Sequence, residues 1–350
     1  MQGEARRGSR AIRRPLILAA LVGLALAVVL LVGSGAADVA HAMADLGWAL
    51  APITLFHVVP LSLSALSWRA LLPDDDRLDI VGVVWIRWLR ESVNALLPVA
   101  SVGGDILAAR LAHKRGVAGA QAAACMVVDT TVGAATQLVF VLAGVVLLVT
   151  RSTGSATAQA ASALLIGLAV FVAAIAAFAL LQHRSMFAAL VRLAGRVSPG
   201  QRLAELADSA KAVDDAIVAA YRRRAALARA SLLRLAGWVA GAGEIWLVMQ
   251  FLGKPLTATD AFILESLGSG VRAAAFIVPG ALGAQEGGFV LLGALFGLPA
   301  STALAISLSK RVREVALGLP GLLAWQWFEA RSILRSKAQA RASGGPTLAP

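Results

Sequence analysis

The chain is 350 residues long, 59% hydrophobic and only 15% charged, with a mean hydropathy of +0.77. Soluble domains carry roughly 25% charged residues, so these numbers exclude an ordinary soluble protein and point to a polytopic membrane protein. The net charge of +12 does not indicate a nucleic-acid partner, because Lys and Arg lie in loops and tails beside apolar runs, as cytoplasmic loops do.

Residues 1–14 hold Arg6, Arg7, Arg10, Arg13 and Arg14 and predict a basic cytoplasmic tail. Pro15 then opens an apolar run to Val32, long enough to span and expected to stay as an uncleaved first helix. A second span is predicted from Trp48 to Leu72, with Trp48 and Trp68 as interfacial anchors. The acidic turn Asp74-Asp75-Asp76 lacks further acids at ligand spacing and reads as solvated. The single cysteine, Cys125, excludes an intramolecular disulfide and a cysteine metal cluster. Neither metal nor cofactor is expected.

Residues 80–115 break the pattern of simple spans. Arg87, Arg90, Glu91 and Asn94 interrupt the apolar run, with Arg87–Glu91 and Arg90–Asn94 at helical-neighbour spacing. Pro98 and Gly103-Gly104-Asp105 then break the helix. Two half-length pieces around such a break predict a re-entrant hairpin, since non-helical backbone at membrane depth survives only in protein or in a wet cavity. A long helix from Gly116 to about Val149 follows, and a span over 160–181 closes membrane half one, residues 15–181. At about 100° per residue, Ala122, Cys125, Asp129, Gly133, Thr136 and Gln137 form a small, polar stripe.

Residues 182–229 alternate Arg and Lys with Ala, Leu and Val, predicting an amphipathic cytoplasmic connector. Membrane half two, 230–329, begins with a span carrying Glu244 at mid-length. A second break follows in 257–297, at Pro279-Gly280 and Gly283 just before Glu286. In the final span Lys310, Arg311, Arg313 and Glu314 share one arc, opposite Leu308, Val312, Val315 and Leu319. So many ionisable groups cannot all snorkel, so they line a polar cavity, meet anions, or pair with Glu286, Glu265 or Asp129. Residues 330–350 form a basic tail expected to be disordered.

Displacing the sequence by 181 positions overlays Pro98 on Pro279, Asp105 on Glu286 and Gly116 on Gly297. Placing every strongly basic loop in the cytoplasm makes the hairpins enter from opposite sides. The expected fold is all-α, with about six full spans and two re-entrant helix hairpins in an inverted repeat, a transporter architecture. Both termini are then cytoplasmic.

The runs at 91–105, 276–298 and 309–315, with their paired Pro–Gly–acid motifs, closely resemble the flippase-like transmembrane region of lysylphosphatidylglycerol synthases. Within that family the chain is most similar to the hopanoid-biosynthesis-associated membrane proteins. The resemblance covers residues 48–327 and implies an inner-membrane protein that moves or binds an amphiphilic lipid such as a hopanoid. By motif position it marks Asn94, Asp105, Asp129, Glu286, Arg311 and Glu314 for the substrate, beside Lys310 and Arg313. It marks Pro98, Gly103, Gly104, Pro279, Gly280 and Gly283 as hinges. Asp105 stands where many relatives carry Glu. The synthase domain has no counterpart here, so aminoacyl transfer is not expected. Membrane lipids, and hopanoid-pathway enzymes, are the expected partners. The alternatives are a membrane enzyme with Glu286 and Asp105 as acid and base on a lipid or isoprenoid, or a scaffold docking through its basic connector.

Overall fold

The computed structural model of the chain describes residues 28–29, 32, 36–73, 78–97, 103–151, 201–275 and 278–342. Most of the predicted first span, the 160–181 span, the first part of the connector, the 74–77 turn, Pro98 and the end of the tail lie outside these residues.

Among the described residues every regular element is helical. Helices α1 (Ala36–Leu46), α2 (Leu50–Phe56) and α3 (Val58–Leu71) run almost continuously, with a 3-10 turn at Gly47–Ala49 and a joint at His57. The first hairpin consists of α4 (Ile80–Leu96) and α5 (Gly103–Lys114), and leads into α6 (Gly119–Arg151). Helix α7 (Gln201–Arg222) packs on α6, and α8 (Arg224–Phe251) begins before residue 230, where its span was expected. The second hairpin consists of α9 (Ala258–Ala274), a 3-10 turn at Pro279–Ala281 and α10 (Ala284–Ala294), and leads into α11 (Ala300–Ala342).

Length sorts these helices into two kinds. At 1.5 Å per residue, the 33 residues of α6 reach about 50 Å, while the 12 of α5 and 11 of α10 reach under about 20 Å. The short pair cannot cross a hydrocarbon core of about 30 Å. Among the described residues three helical stretches are long and apolar enough to cross: Ala37–Leu71, Gly119–Arg151 and Arg224–Phe251. The outer surface is correspondingly apolar, with Val139, Val146, Leu232, Val239, Leu291, Val315, Leu319 and Leu323 exposed, as hydrocarbon contact requires.

Helix α8 is the hub, packing against α3, α6, α9 and α11. Two apolar clusters flank it. One gathers Leu71, Ile86, Leu89, Leu111, Val128 and Ile217; the other gathers Ile53, Val145, Ile245, Met249, Leu264 and Phe289. Trp68 belongs to the first cluster and is 1% exposed, so it is a core residue rather than the interfacial anchor expected. Ala65, Leu71, Leu72 and Leu78 belong to the same cluster. Trp48, at 78% exposure, keeps the expected surface position. Between the clusters α6 carries Gly133, Thr136 and Gln137, and α8 carries the charged Arg234 and Glu244 among small and apolar residues. The polar layer therefore sits at mid-length.

The hairpins exchange partners across the molecule. Helix α4 packs on α11, and α9 packs on α6. A Cβ at Gly321 would overlap Ser92 Oγ and come within 2.7 Å of its Cβ; one at Gly144 would overlap Ser266 Oγ and come within 2.8 Å of its Cβ. Trp88 Nε1 donates to the Leu317 carbonyl (2.9 Å) at one crossing, and Gln137 Nε2 to the Ser269 carbonyl (3.1 Å) at the other. Gly144→Leu is expected to lower stability by about 1–3 kcal/mol, the usual effect of forcing extra volume into a packed seam. Val146→Leu, on the exposed face of the same helix, is expected to leave the melting temperature in detergent unchanged. Equal melting of the two variants would remove the seam from the account.

Candidate functional site

Each hairpin places an acid in the first turn of its short helix. Asp105 lies in the first turn of α5, and Glu286 in that of α10. Such a position favours a carboxylate, because the first backbone N–H groups point at it and the helix dipole is positive there. Glu286 Oε2 accepts from the Gly283 N–H (2.7 Å), and Asn94 Oδ1 accepts from the Gly104 N–H (2.9 Å). Asn94 thus caps α5. Gly104 has no room for a side chain, as a Cβ there would overlap the Arg90 carbonyl oxygen and lie 2.7 Å from Asn94 Cγ. The second turn uses left-handed backbone at Gly280 (φ 63°) and Gly283 (φ 75°), which glycine adopts without a Cβ penalty.

Asp129 is fully buried on α6 and is shared by three arginines. Its Oδ2 lies 2.5 Å from Arg90 Nη1, 3.3 Å from Arg87 Nη1 and 3.4 Å from Arg234 Nη2. Arg90 Nε also donates to Asp105 Oδ1 (2.5 Å), Arg87 Nε to Glu91 Oε1 (2.8 Å), and Thr130 Oγ1 to Asp105 Oδ2 (3.3 Å). Arg234 crosses α6 at Gly133, where a Cβ would lie 2.7 Å from its Nη2. The small residue in the polar stripe is therefore the channel for an arginine from another helix.

A second net joins α8, α9, α10 and α11. Glu244, 2% exposed, accepts from Arg313 Nη1 and lies 4.0 Å from Lys310 Nζ. Lys310 pairs with Glu265 at 2.6 Å. Arg311 Nε meets Glu286 Oε1 at 3.1 Å, and its Nη1 donates to the Gly280 carbonyl at 2.6 Å. Arg272 Nη1 reaches Glu314 (2.5 Å) and Gln285 (2.9 Å), and Ser307 Oγ donates to Glu286 Oε1 (3.2 Å). In the first net three cations face three acids; in the second, Arg272, Lys310, Arg311 and Arg313 face Glu244, Glu265, Glu286 and Glu314. Ion pairs in a low-dielectric interior persist only when charges are matched, and in number the acids and cations of both nets are matched.

His57 joins them. Its Nδ1 lies 2.5 Å from Glu244 Oε1 and its Nε2 3.5 Å from Glu91 Oε2.

Between the nets lies a cavity of about 720 Å³, lined by His57, Arg87, Glu91, Arg234, Glu244, Glu265, Arg272, Lys310, Arg313 and Glu314, with Trp88, Trp238 and Phe289. That volume lies within the usual range for small-molecule sites. Of the residues expected to contact substrate, Asn94, Lys310, Arg313 and Glu314 line it, as does Gly280 among the hinges. Asp105, Asp129, Glu286 and Arg311 stand behind the lining in ion pairs. Pro279 starts the 3-10 turn, and Gly103 starts α5.

Sequence reasoning did not place His57, Arg234, Gln285 or Arg272 in the site. Gly133 was the available signal for Arg234, because a small residue beside a buried acid leaves room for a long side chain. For His57 no local signal existed.

No curated protein and no solved structure matches the chain. A family model described as the lysylphosphatidylglycerol synthase TM region matches residues 16–321. Apolar helices, two short broken hairpins and a charged layer at mid-length thus coincide with a family match over most of the sequence: the chain belongs to the lysylphosphatidylglycerol synthase TM region family.

Proposed function

We propose that this protein is a lipid translocator or lipid carrier of a bacterial inner membrane, with both termini cytoplasmic, handling a hopanoid or another amphiphilic lipid. The observation that carries the reading is the mid-length cavity of about 720 Å³, walled by ionised side chains from both hairpin regions inside an otherwise apolar helical body. A headgroup enters the charged layer while its apolar part stays against the hydrocarbon-facing helices. Family membership supports a lipid as the cargo, and the motif resemblance supports a hopanoid. Enzymes of hopanoid synthesis fit as neighbours that supply or receive such a lipid.

We also read the two hairpins as inverted repeats. Under the displacement that overlays Asp105 on Glu286, Thr130 falls on Arg311, and each of these side chains contacts its own hairpin's acid. The reciprocal packing of α4 on α11 and α9 on α6 supports the same reading. Catalysis is not part of the proposal. Asp105 and Glu286, the candidate acid and base, are held by Arg90 and Arg311 behind the cavity wall.

Reconstitution in vesicles with a fluorescent lipid tests the assignment. Wild-type protein is expected to move the lipid between leaflets. Ala95→Phe, which fills the cavity from α4 without touching an ion pair, is expected to slow movement about tenfold, equivalent to about 1.4 kcal/mol of barrier. Absence of movement with folded wild-type protein would falsify translocation.

A further inference from the structure

The two ion-pair nets leave one group unassigned. Each net carries as many acids as cations, so with all of them ionised the layer is neutral. His57 is then the side chain whose protonation sets the sign of the layer, since imidazole alone among ordinary side chains changes charge between about pH 5 and about pH 8. Its geometry accommodates both forms. Both ring nitrogens face carboxylate oxygens, Glu244 at 2.5 Å and Glu91 at 3.5 Å. A neutral ring donates from one nitrogen only, whereas imidazolium donates from both.

The groups facing His57 from the packed helices are already engaged. On α4, Arg87 holds Glu91; on α8, Glu244 is held by Arg313 of α11. Lys310 of α11 is held by Glu265 of α9, and Asp129 of α6 is enclosed by arginines. Arg234 differs. It is 6% exposed and lines the cavity, its Nη2 reaches an Asp129 oxygen that Arg87 and Arg90 already share, and its Nε and Nη1 have no hydrogen-bond partner among the described residues. A buried guanidinium with unpaired Nε–H and Nη1–H groups keeps donors for an anionic oxygen of a phosphate or carboxylate. An anion there would leave a neutral layer with an excess negative charge, and one proton on His57 removes that excess.

We infer that the cavity takes up an anionic phosphate- or carboxylate-bearing headgroup together with one proton, the anion on Arg234 and the proton on His57. This rests on the lipid-carrier reading and names the chemical class of its cargo. One proton moves from solvent to the imidazole for each anion bound. Linkage then makes the coupling reciprocal: acid strengthens anion binding, and anion binding draws a proton in.

The test uses the full chain in neutral detergent with fluorescent phosphatidylglycerol, an anionic probe, and fluorescent phosphatidylcholine, a zwitterionic one. Phosphatidylglycerol is expected to bind about tenfold more tightly near about pH 5.5 than near about pH 8, within the usual range of coupling. It is also expected to take up protons from weakly buffered solution. Phosphatidylcholine affinity is expected to stay level. His57→Gln should abolish the pH slope, and Arg234→Gln should weaken the anionic probe at both pH values, each with a native elution profile and melting curve. An unaltered slope in His57→Gln, or the same slope for both lipids, overturns the inference. Competition by glycerol 3-phosphate as strong as that of the lipid would overturn the lipid source and assign the anion site to a soluble phosphate ester. Lipid movement at equal rates across this pH range would end the coupling and leave translocation standing. A preserved binding slope without movement at any pH would do the reverse.

Discussion

Asp129→Asn is expected to destabilise the folded protein by about 3–5 kcal/mol, the scale seen when one partner of a buried ion pair is removed. The amide can still accept a hydrogen bond, but the charge opposing Arg87, Arg90 and Arg234 is gone. Arg87 and Arg90 keep Glu91 and Asp105, whereas Arg234 has no other acid within ion-pair distance. The uncompensated cation is thus Arg234. A second change, Arg234→Leu, is expected to recover most of the loss, since removing both members of a buried pair costs far less than removing one. Because the residues touch, the two effects should be strongly non-additive. Thermal unfolding of wild type, both single variants and the double variant in one detergent measures the coupling. Additive losses would show that Asp129 is not the partner of Arg234.

Glu244→Gln is expected to have a comparable effect on stability, about 3–5 kcal/mol, and a larger one on transport. Glu244 accepts from Arg313 on α11 and bonds His57 at the joint of α2 and α3, so three separate elements converge on one carboxylate. Its loss leaves Arg313 only the longer pairing with Glu314 at 3.8 Å and deprives the imidazole of its closer anionic partner. Arg313→Gln in the same chain should restore much of the melting temperature but not lipid movement, because the histidine still lacks Glu244. Recovery of transport along with stability would reduce Glu244 to a packing role.

The sequence marked the charged layer better than it marked its partners. Asp129, Gly133, Thr136 and Gln137 fell on one helical face by periodicity alone, and all four meet α4, α8 or α9. The cluster from Lys310 to Glu314 was recognisable because such density of charge in an apolar run has few physical outcomes. Glu265 and Glu286 were among the acids expected to pair with it, and they do. Glu244 was visible as a mid-span acid but not as the partner of Arg313. Pairing depends on which helix faces which, and no residue between 244 and 313 encodes that. Arg87 and Glu91 looked like an ordinary helical-neighbour pair; Arg87 is buried because α3, α5 and α11 close around α4. Glu91-Ser92 and Glu265-Ser266 stand at unequal distances from their prolines, so linear alignment undervalued them. In three dimensions both serines fill a glycine notch on the opposite long helix.

Those two notches also limit how the body can deform. With backbone at Gly321 and Gly144 pressed against serine, neither helix pair can slide by a turn without driving a bulkier side chain into the gap. Tilting remains open. A tilt of ~10° about Ser92 carries the start of α4, ~18 Å away at 1.5 Å per residue, by ~3 Å. Glu91, beside the pivot, hardly moves. The crossings thus behave as fulcrums: the far ends of the levers can swing while the charged layer between them keeps its contacts.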